Sequence, residues 1–235
     1  MNQDAVPTVS REHVVGWIGS HDVKLGTGMV SVLSSLVLAL LIATAKTSHD
    51  TTDHRMRSYA ADLILLNETL RDYGADAATP RDLLRRYTKL ALESTWTTNN
   101  GTPLRVEDQQ AGQLLEHVRE AIRALKPVDA GQQWLLSQAL QISSSLLQQR
   151  WLLIEQQGPT VQPIILVILI SWISFIFASF GLHAPRNATV VVTFFICSLA
   201  IGGSVFMILE MDTPFTGVLR ISRWPMENAL AHMTP

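Results

Sequence analysis

The stretch PIILVILISWISFIFASFGLHAPRNATVVVTFFICSLAIGGSVFMIL, residues 163–209, decides the fold. Its two halves, Pro163 to Leu182 and Ala188 to Leu209, contain no Asp, Glu, Lys, Arg or His, and the five residues HAPRN join them. A hydrocarbon core of about 30 Å is crossed by about 20 helical residues, because lipid offers no hydrogen bonds and a helix satisfies its own backbone. Each half therefore reads as one membrane-spanning helix, and the short link makes them antiparallel neighbours.

Working outward, Leu25 to Ala45 (LGTGMVSVLSSLVLALLIATA) is a third run free of ionisable side chains. It is longer than the apolar stretch of a signal peptide, and some 24 mixed residues precede it, so a retained span is favoured over a cleaved leader. The chain has 235 residues and a formal net charge of −2, which gives no footprint of nucleic-acid binding. Its only cysteine, Cys197, lies inside the last run, so neither a disulfide framework nor a cysteine-based zinc site is expected.

Positive charge orients the spans. Arg11, Lys24 and Arg186 flank one side, and Lys46, Arg55, Arg57, Arg150, Arg220 and Arg223 flank the other. The richer side is expected to be cytoplasmic. The predicted organisation is an N-terminal extramembrane segment (1–24), a first span (25–45), a cytoplasmic four-helix region (46–157), a second span (163–182), a third span (188–209) and a cytoplasmic tail (210–235). In a bacterium this is a multi-pass inner-membrane protein with its N-terminus outside.

The region between the first two spans reads as helix throughout. Met56, Ala60, Leu63, Leu66, Leu70 and Tyr73 recur every three or four residues, which places them on one helical face. No Pro or Gly interrupts Met29 to Tyr73, so the first span is expected to continue as a single helix until Gly74. Thr79 and Pro80 then offer an N-cap and first helical position for a second helix, burying Leu83, Leu84, Tyr87, Leu90 and Ala91. TTNNGTP is a loop; Leu114, Leu115, Val118, Ile122 and Leu125 mark a third helix that Pro127 ends. Asp129 can cap a fourth, with Leu136, Leu140, Ser143, Leu147, Trp151 and Ile154 along one face as far as Gly158-Pro159. The expected fold class is all-α: three transmembrane helices and a helical bundle.

Several of these stretches, taken in order, resemble the bacterial bestrophin-like membrane proteins. They are AADLILLNETLRDYG, PRDLLRRYTKLALESTW, QALQISSSLLQQRWLLIEQ, FASFGLHAPRNATV, SVFMILEMDTPFTGVLRIS and the closing NALAH. Thr213 stands where relatives usually carry Gln or Arg before Pro-Phe, and His183 where they carry an aromatic residue. Bestrophins, for which the family is named, are oligomeric anion channels gated by calcium. The family name alone does not make a channel, and two functions are expected: a homo-oligomeric ion (anion) channel, or a membrane-anchored helical scaffold whose cytoplasmic bundle binds a protein or lipid partner.

Two groups of residues are candidates for function. Glu210 and Asp212 end the third span just before the turn made by Pro214 and Gly217. They read either as carboxylates ending a helix, with Asp212 holding the following backbone, or as part of a calcium shell, which needs six to eight oxygens. The second group is small and polar: Ser31, Ser34 and Ser35, then Ser171 and Ser174, then Gly202 and Gly203, suited to close helix packing or to lining a pore between subunits. In HDTTDH, residues 49–54, the pairs His49/Asp53 and Asp50/His54 share helix faces at metal-ligand spacing, but a solvated helix turn is the simpler reading. No nucleophile, base and orienting group fall into one motif, so no catalytic residue, enzyme activity or resident cofactor is predicted. The expected partners are the bilayer and further copies of the chain.

Overall fold

A computed structural model describes residues 11–96, 109–155, 162–184 and 187–233, with side chains from Gly26 onward except that of His183. The TTNNGTP loop, Gly158-Pro159 and Pro185-Arg186 of the link lie outside the described residues. Within them all regular structure is helical: α1 (Arg11–Tyr73), a 3-10 turn (Ala75–Ala77), α2 (Ala78–Trp96), α3 (Gln109–Arg123), α4 (Ala130–Glu155), α5 (Pro163–His183), α6 (Ala188–Met211) and α7 (Trp224–His232).

The termini follow local chemistry. α1 runs unbroken through the expected first span and beyond it, and stops where Gly74 takes φ +111°, a region that favours glycine. α2 is under way at Ala78, so Thr79 and Pro80 occupy its first turn and Thr79 is not the cap. Asp129 does what an N-cap residue does, its Oδ1 accepting the Gln132 N–H at 2.7 Å. α5 starts at Pro163, and Gln162 before it is extended, as the clash with a proline ring requires.

The described residues fall into two compact units. The first holds α1 through Thr44, α5, and α6 through Met207. Three helices are long and apolar enough to cross a membrane, the first within Gly26–Tyr73, then Pro163–Leu182 and Ala188–Met211. In this unit the Thr27 and Ser179 hydroxyls meet at 3.3 Å, and Phe177 and Phe194 pack edge to face.

The second unit takes α1 from Ala45, α2, α3, α4, the last residues of α6 and α7. Leu63, Leu66 and Leu70 of α1 are fully buried with Leu84 and Tyr87 of α2, Leu115 and Ile122 of α3, and Leu146 of α4. The helical spacing expected for α1, α2 and α3 is what the core uses. On α4 the buried face is displaced by about one residue from the expected stripe: Ala139, Ile142, Ser143, Leu146, Arg150 and Leu153 are inside, whereas Trp151 is 67% exposed. Asp62 of α1 anchors that face by accepting from Ser145 at 2.9 Å and Gln149 at 2.7 Å.

The segment from residue 210 on is not a tail. Ile221, Met226, Ala229 and Met233 are buried in the same core, with α7 packed on α2. Asn67 of α1 donates to the carbonyl of His232 at 3.4 Å.

Candidate functional site

The first candidate region is the turn after α6. The helix ladder reaches Asp212, whose N–H donates to the Ile208 carbonyl at 3.2 Å. The chain then folds through tight bonds, Thr216 N–H to Thr213 O at 3.2 Å and Ile221 N–H to Pro214 O at 2.7 Å. Gly217 takes φ +80°, and a Cβ there would overlap the Glu210 carboxylate. That carboxylate accepts the Val218 N–H through Oε1 at 3.0 Å. Glu210 is thus an acid of this turn that holds the following backbone. The reason is reach: a longer side chain on the last helical turn can fold forward onto the floor that a residue without Cβ leaves open.

The turn is also clamped from outside. Trp96 donates its indole N–H to the Ile221 carbonyl at 3.0 Å and packs edge to face against Phe215, with ring centroids 5.8 Å apart. The His49 ring meets the Leu219 carbonyl through Nε2 at 2.9 Å. The Leu219 and Ile221 carbonyls of the turn thus each have a protein partner. No group of three or more His, Cys, Asp or Glu placed to hold a metal occurs among the described residues. HDTTDH is solvated only in part: Asp50 pairs with Lys46 at 2.9 Å and Asp53 with Arg57 at 2.8 Å, while Thr52 is buried. The Lys46 ammonium holds the Asp50 carboxyl below its usual range.

The second region was not foreseen. Arg150 of α4 is only 6% exposed and bonds to the hydroxyl of Tyr87, which in turn shares a short hydrogen bond with the Tyr59 hydroxyl. Both phenols are buried, and burial pushes both toward weaker acidity, so each stays protonated as a donor. A small cavity opens between them, walled by Met56, Ala91, Leu153 and Met226 and reached by Thr95. Sequence reasoning placed Tyr87 on an apolar face and counted Arg150 among flanking charges. The one available signal was an Arg at helical spacing from Ser143, Leu146 and Leu153.

The small polar residues of the spans divide. Ser34 is buried and its Oγ has no partner, while Ser31 is half-buried and Ser35 is exposed, donating to the Ser31 carbonyl at 2.9 Å. Ser171 and Ser174 are exposed on α5, the former bonded to the Val167 carbonyl at 2.9 Å. Gly202 and Gly203 face open space, where an added Cβ meets no atom. Cys197 is exposed too, so it is not a packing residue within this chain.

These features define a helical protein with three span-length apolar helices and a packed bundle built on the continuation of the first. The description Bestrophin-like domain matches residues 23–226, and the chain belongs to the bestrophin-like family. No curated protein and no solved structure matches it.

Proposed function

We propose that this bestrophin-like protein is a homo-oligomeric anion channel whose bundle lies on the cytoplasmic side. The observation that carries the reading is the surface of the spans. Most of their large apolar side chains are left uncovered by the chain itself, and apart from the Trp172 indole and the Cys197 thiol the polar side-chain groups among the described residues of the three spans are hydroxyls. Proton-coupled carriers place ionisable groups at membrane depth, and none stands in these spans. A passive path between subunits needs only weak polar contacts, which Ser31, Ser34 and Ser35 or Ser171 and Ser174 would provide. The buried, unpartnered Ser34 hydroxyl supports this, since leaving such a group dry costs about 1–3 kcal/mol unless a neighbouring chain, water or ion meets it.

The cytoplasmic assignment rests on Lys46, Arg55, Arg57, Arg220 and Arg223 against Arg11, Lys24 and Arg186. Arg150 leaves that count because it is buried. Calcium at Glu210 and Asp212 remains a proposal with only two carboxylates behind it. The scaffold reading is favoured by one observation: Trp134 and Trp151 of α4 stand 62% and 67% exposed, and exposed tryptophans are the residues partners bury most profitably. Reconstitution into liposomes decides. Chloride flux above that of empty vesicles, reduced by Ser34→Leu, supports the channel; no flux of any ion from protein of the correct oligomeric mass leaves the scaffold.

A further inference from the structure

We propose that the outer face of α4 is where the bundle of one chain packs against the bundle of a second copy, like face on like face. This rests on the oligomeric part of the function proposed above and is independent of conduction.

The first observation is missing charge. From Ala130 to Gln149 the chain has no Asp, Glu, Lys, Arg or His, and Arg150, the only ionisable residue between Asp129 and Glu155, is buried. A helix on the surface of a water-soluble bundle ordinarily turns charged residues outward. Its neighbours do so: α2 exposes Arg85, Arg86 and Lys89, and α3 exposes Glu116, Glu120 and Arg123. The outer face of α4 carries Trp134, Ser137, Gln141, Ser144, Gln148 and Trp151 instead, all of them exposed. Depletion of charge together with tryptophan is the composition of the centre of a protein interface rather than of a solvated surface.

Spacing is the second observation. The same six residues recur in alternating steps of three and four, the repeat that keeps one helix seated along another. Between the tryptophans the strip is low. Ser137 donates to the Trp134 carbonyl at 2.7 Å and Ser144 to the Leu140 carbonyl at 2.9 Å, so neither hydroxyl asks water for an acceptor.

The lack of charge also chooses the occupant. A residue near the axis of a symmetric assembly meets its own equivalent, where a charge would oppose itself, whereas the Gln141 and Gln148 amides carry both donors and an acceptor and can pair with their own copies. A different soluble protein would find no charge to steer it, and an anionic lipid surface gains nothing from a face without Lys or Arg. Copies joined through their spans face one another at high effective concentration. A modest strip is then enough to select the partner face: from Trp134 to Trp151 it is about 25 Å long and about 10 Å wide, only part of the roughly 800 Å² a side of a free-standing pair. Covered by a copy, Trp134 and Trp151 no longer favour a scaffold.

The test is cross-linking of the full-length protein in its native membrane with a short bis-maleimide, in a Cys197→Ala background. Gln141→Cys should join pairs of chains, and Lys89→Cys, exposed on α2, should do so at least fivefold less at equal thiol labelling. Light scattering in detergent is the second readout. Gln141→Glu with Gln148→Glu sets like charges face to face and should weaken assembly on dilution at least tenfold at low salt, with recovery at about 1 M salt, where screening acts over about 3 Å. Salt does not rescue a misfolded variant. A monomeric wild type overturns the proposal, as does an assembly indifferent to the two charges, a Gln141→Cys yield no higher than that of Lys89→Cys, or capture of a different protein in place of a copy. Chloride flux tells this failure from failure of the channel: an oligomer that conducts without cross-linking loses only the interface, and one that cross-links without conducting loses only the channel.

Discussion

The bundle and the spans dispose of their apolar side chains in opposite ways. In the bundle, Leu63, Leu66 and Leu70 lose all contact with solvent, whereas in the spans Phe195 is 68% exposed and Phe175 and Leu199 are nearly as open. The bundle behaves as a water-soluble domain does, driven by removal of apolar area from water. Lipid supplies no such force between helices, and an uncovered phenylalanine there costs nothing. The contrast extends to polar groups. The bundle buries an arginine that bonds to the Tyr87 hydroxyl, while among the described residues of the spans the buried polar side chains are the hydroxyls of Thr27 and Ser34.

The sharpest break of this comparison is all or none. In a Cys197→Ala background, a cysteine at Asn187 should react with an impermeant thiol reagent applied to intact cells, and one at Gln109 should not. The charge imbalance sets that expectation. Labelling at Gln109 alone would reverse the orientation.

Next in size is the cost of a hole. Leu63→Ala should destabilise the bundle by about 2–5 kcal/mol, because a closed core does not collapse onto the space. Gly202→Leu should leave monomer stability unchanged, since an added side chain meets nothing within the chain, and should lower the mass of the oligomer if that face joins subunits. Light scattering and thermal melts on both variants separate the cases. A Gly202→Leu particle of normal mass would assign that face to lipid.

Much of this architecture is legible before any coordinates are consulted. Uninterrupted apolar runs report the spans because lipid tolerates little else, and the Met56 to Tyr73 spacing reports the core face of α1 because water tolerates little else there. What escapes is informative. The α4 stripe reads one residue off because Trp151 attracts an apolar reading while Ala139 and Arg150 do not, yet inside position is set by the partners across the core. The tyrosine and arginine cluster escapes for the same reason: Tyr59, Tyr87 and Arg150 are far apart in sequence, and only packing brings them together. α7 escapes because nine residues with one buried face look like a tail until α2 is placed beside them. In the turn, sequence points to Asp212 by residue type and does not reveal that Glu210 also reaches the following backbone, because that contact depends on the fold at Gly217.

Gly217→Ala comes third. A residue with Cβ resists φ +80° by roughly 1–2 kcal/mol, and the new carbon would also displace the Glu210 carboxylate. The loss should appear as a lower Tm of the bundle, with Gly26→Ala, at an open helical position, as the control that does not lower it.

The smallest effect concerns the acids themselves, and it distinguishes a structural turn from a cation site. Glu210 accepts one backbone N–H, so Glu210→Ala should cost about 1–2 kcal/mol, while Glu210→Gln should cost less because an amide oxygen can still accept from Val218. That ranking should be identical with calcium and with chelator, since the bond needs an acceptor and not a metal. A cation site makes a different demand: hard divalent ions need charged oxygens, so Glu210→Gln would then lose as much as Glu210→Ala, and only in the presence of calcium. Asp212→Asn adds the second arm, because a shared site would make the two substitutions nonadditive in calcium and additive in chelator. A wild-type Tm that rises with calcium would instead assign a bound cation to the turn. A Tm indifferent to calcium leaves Glu210 as the strut that lets α6 end and the chain re-enter the core.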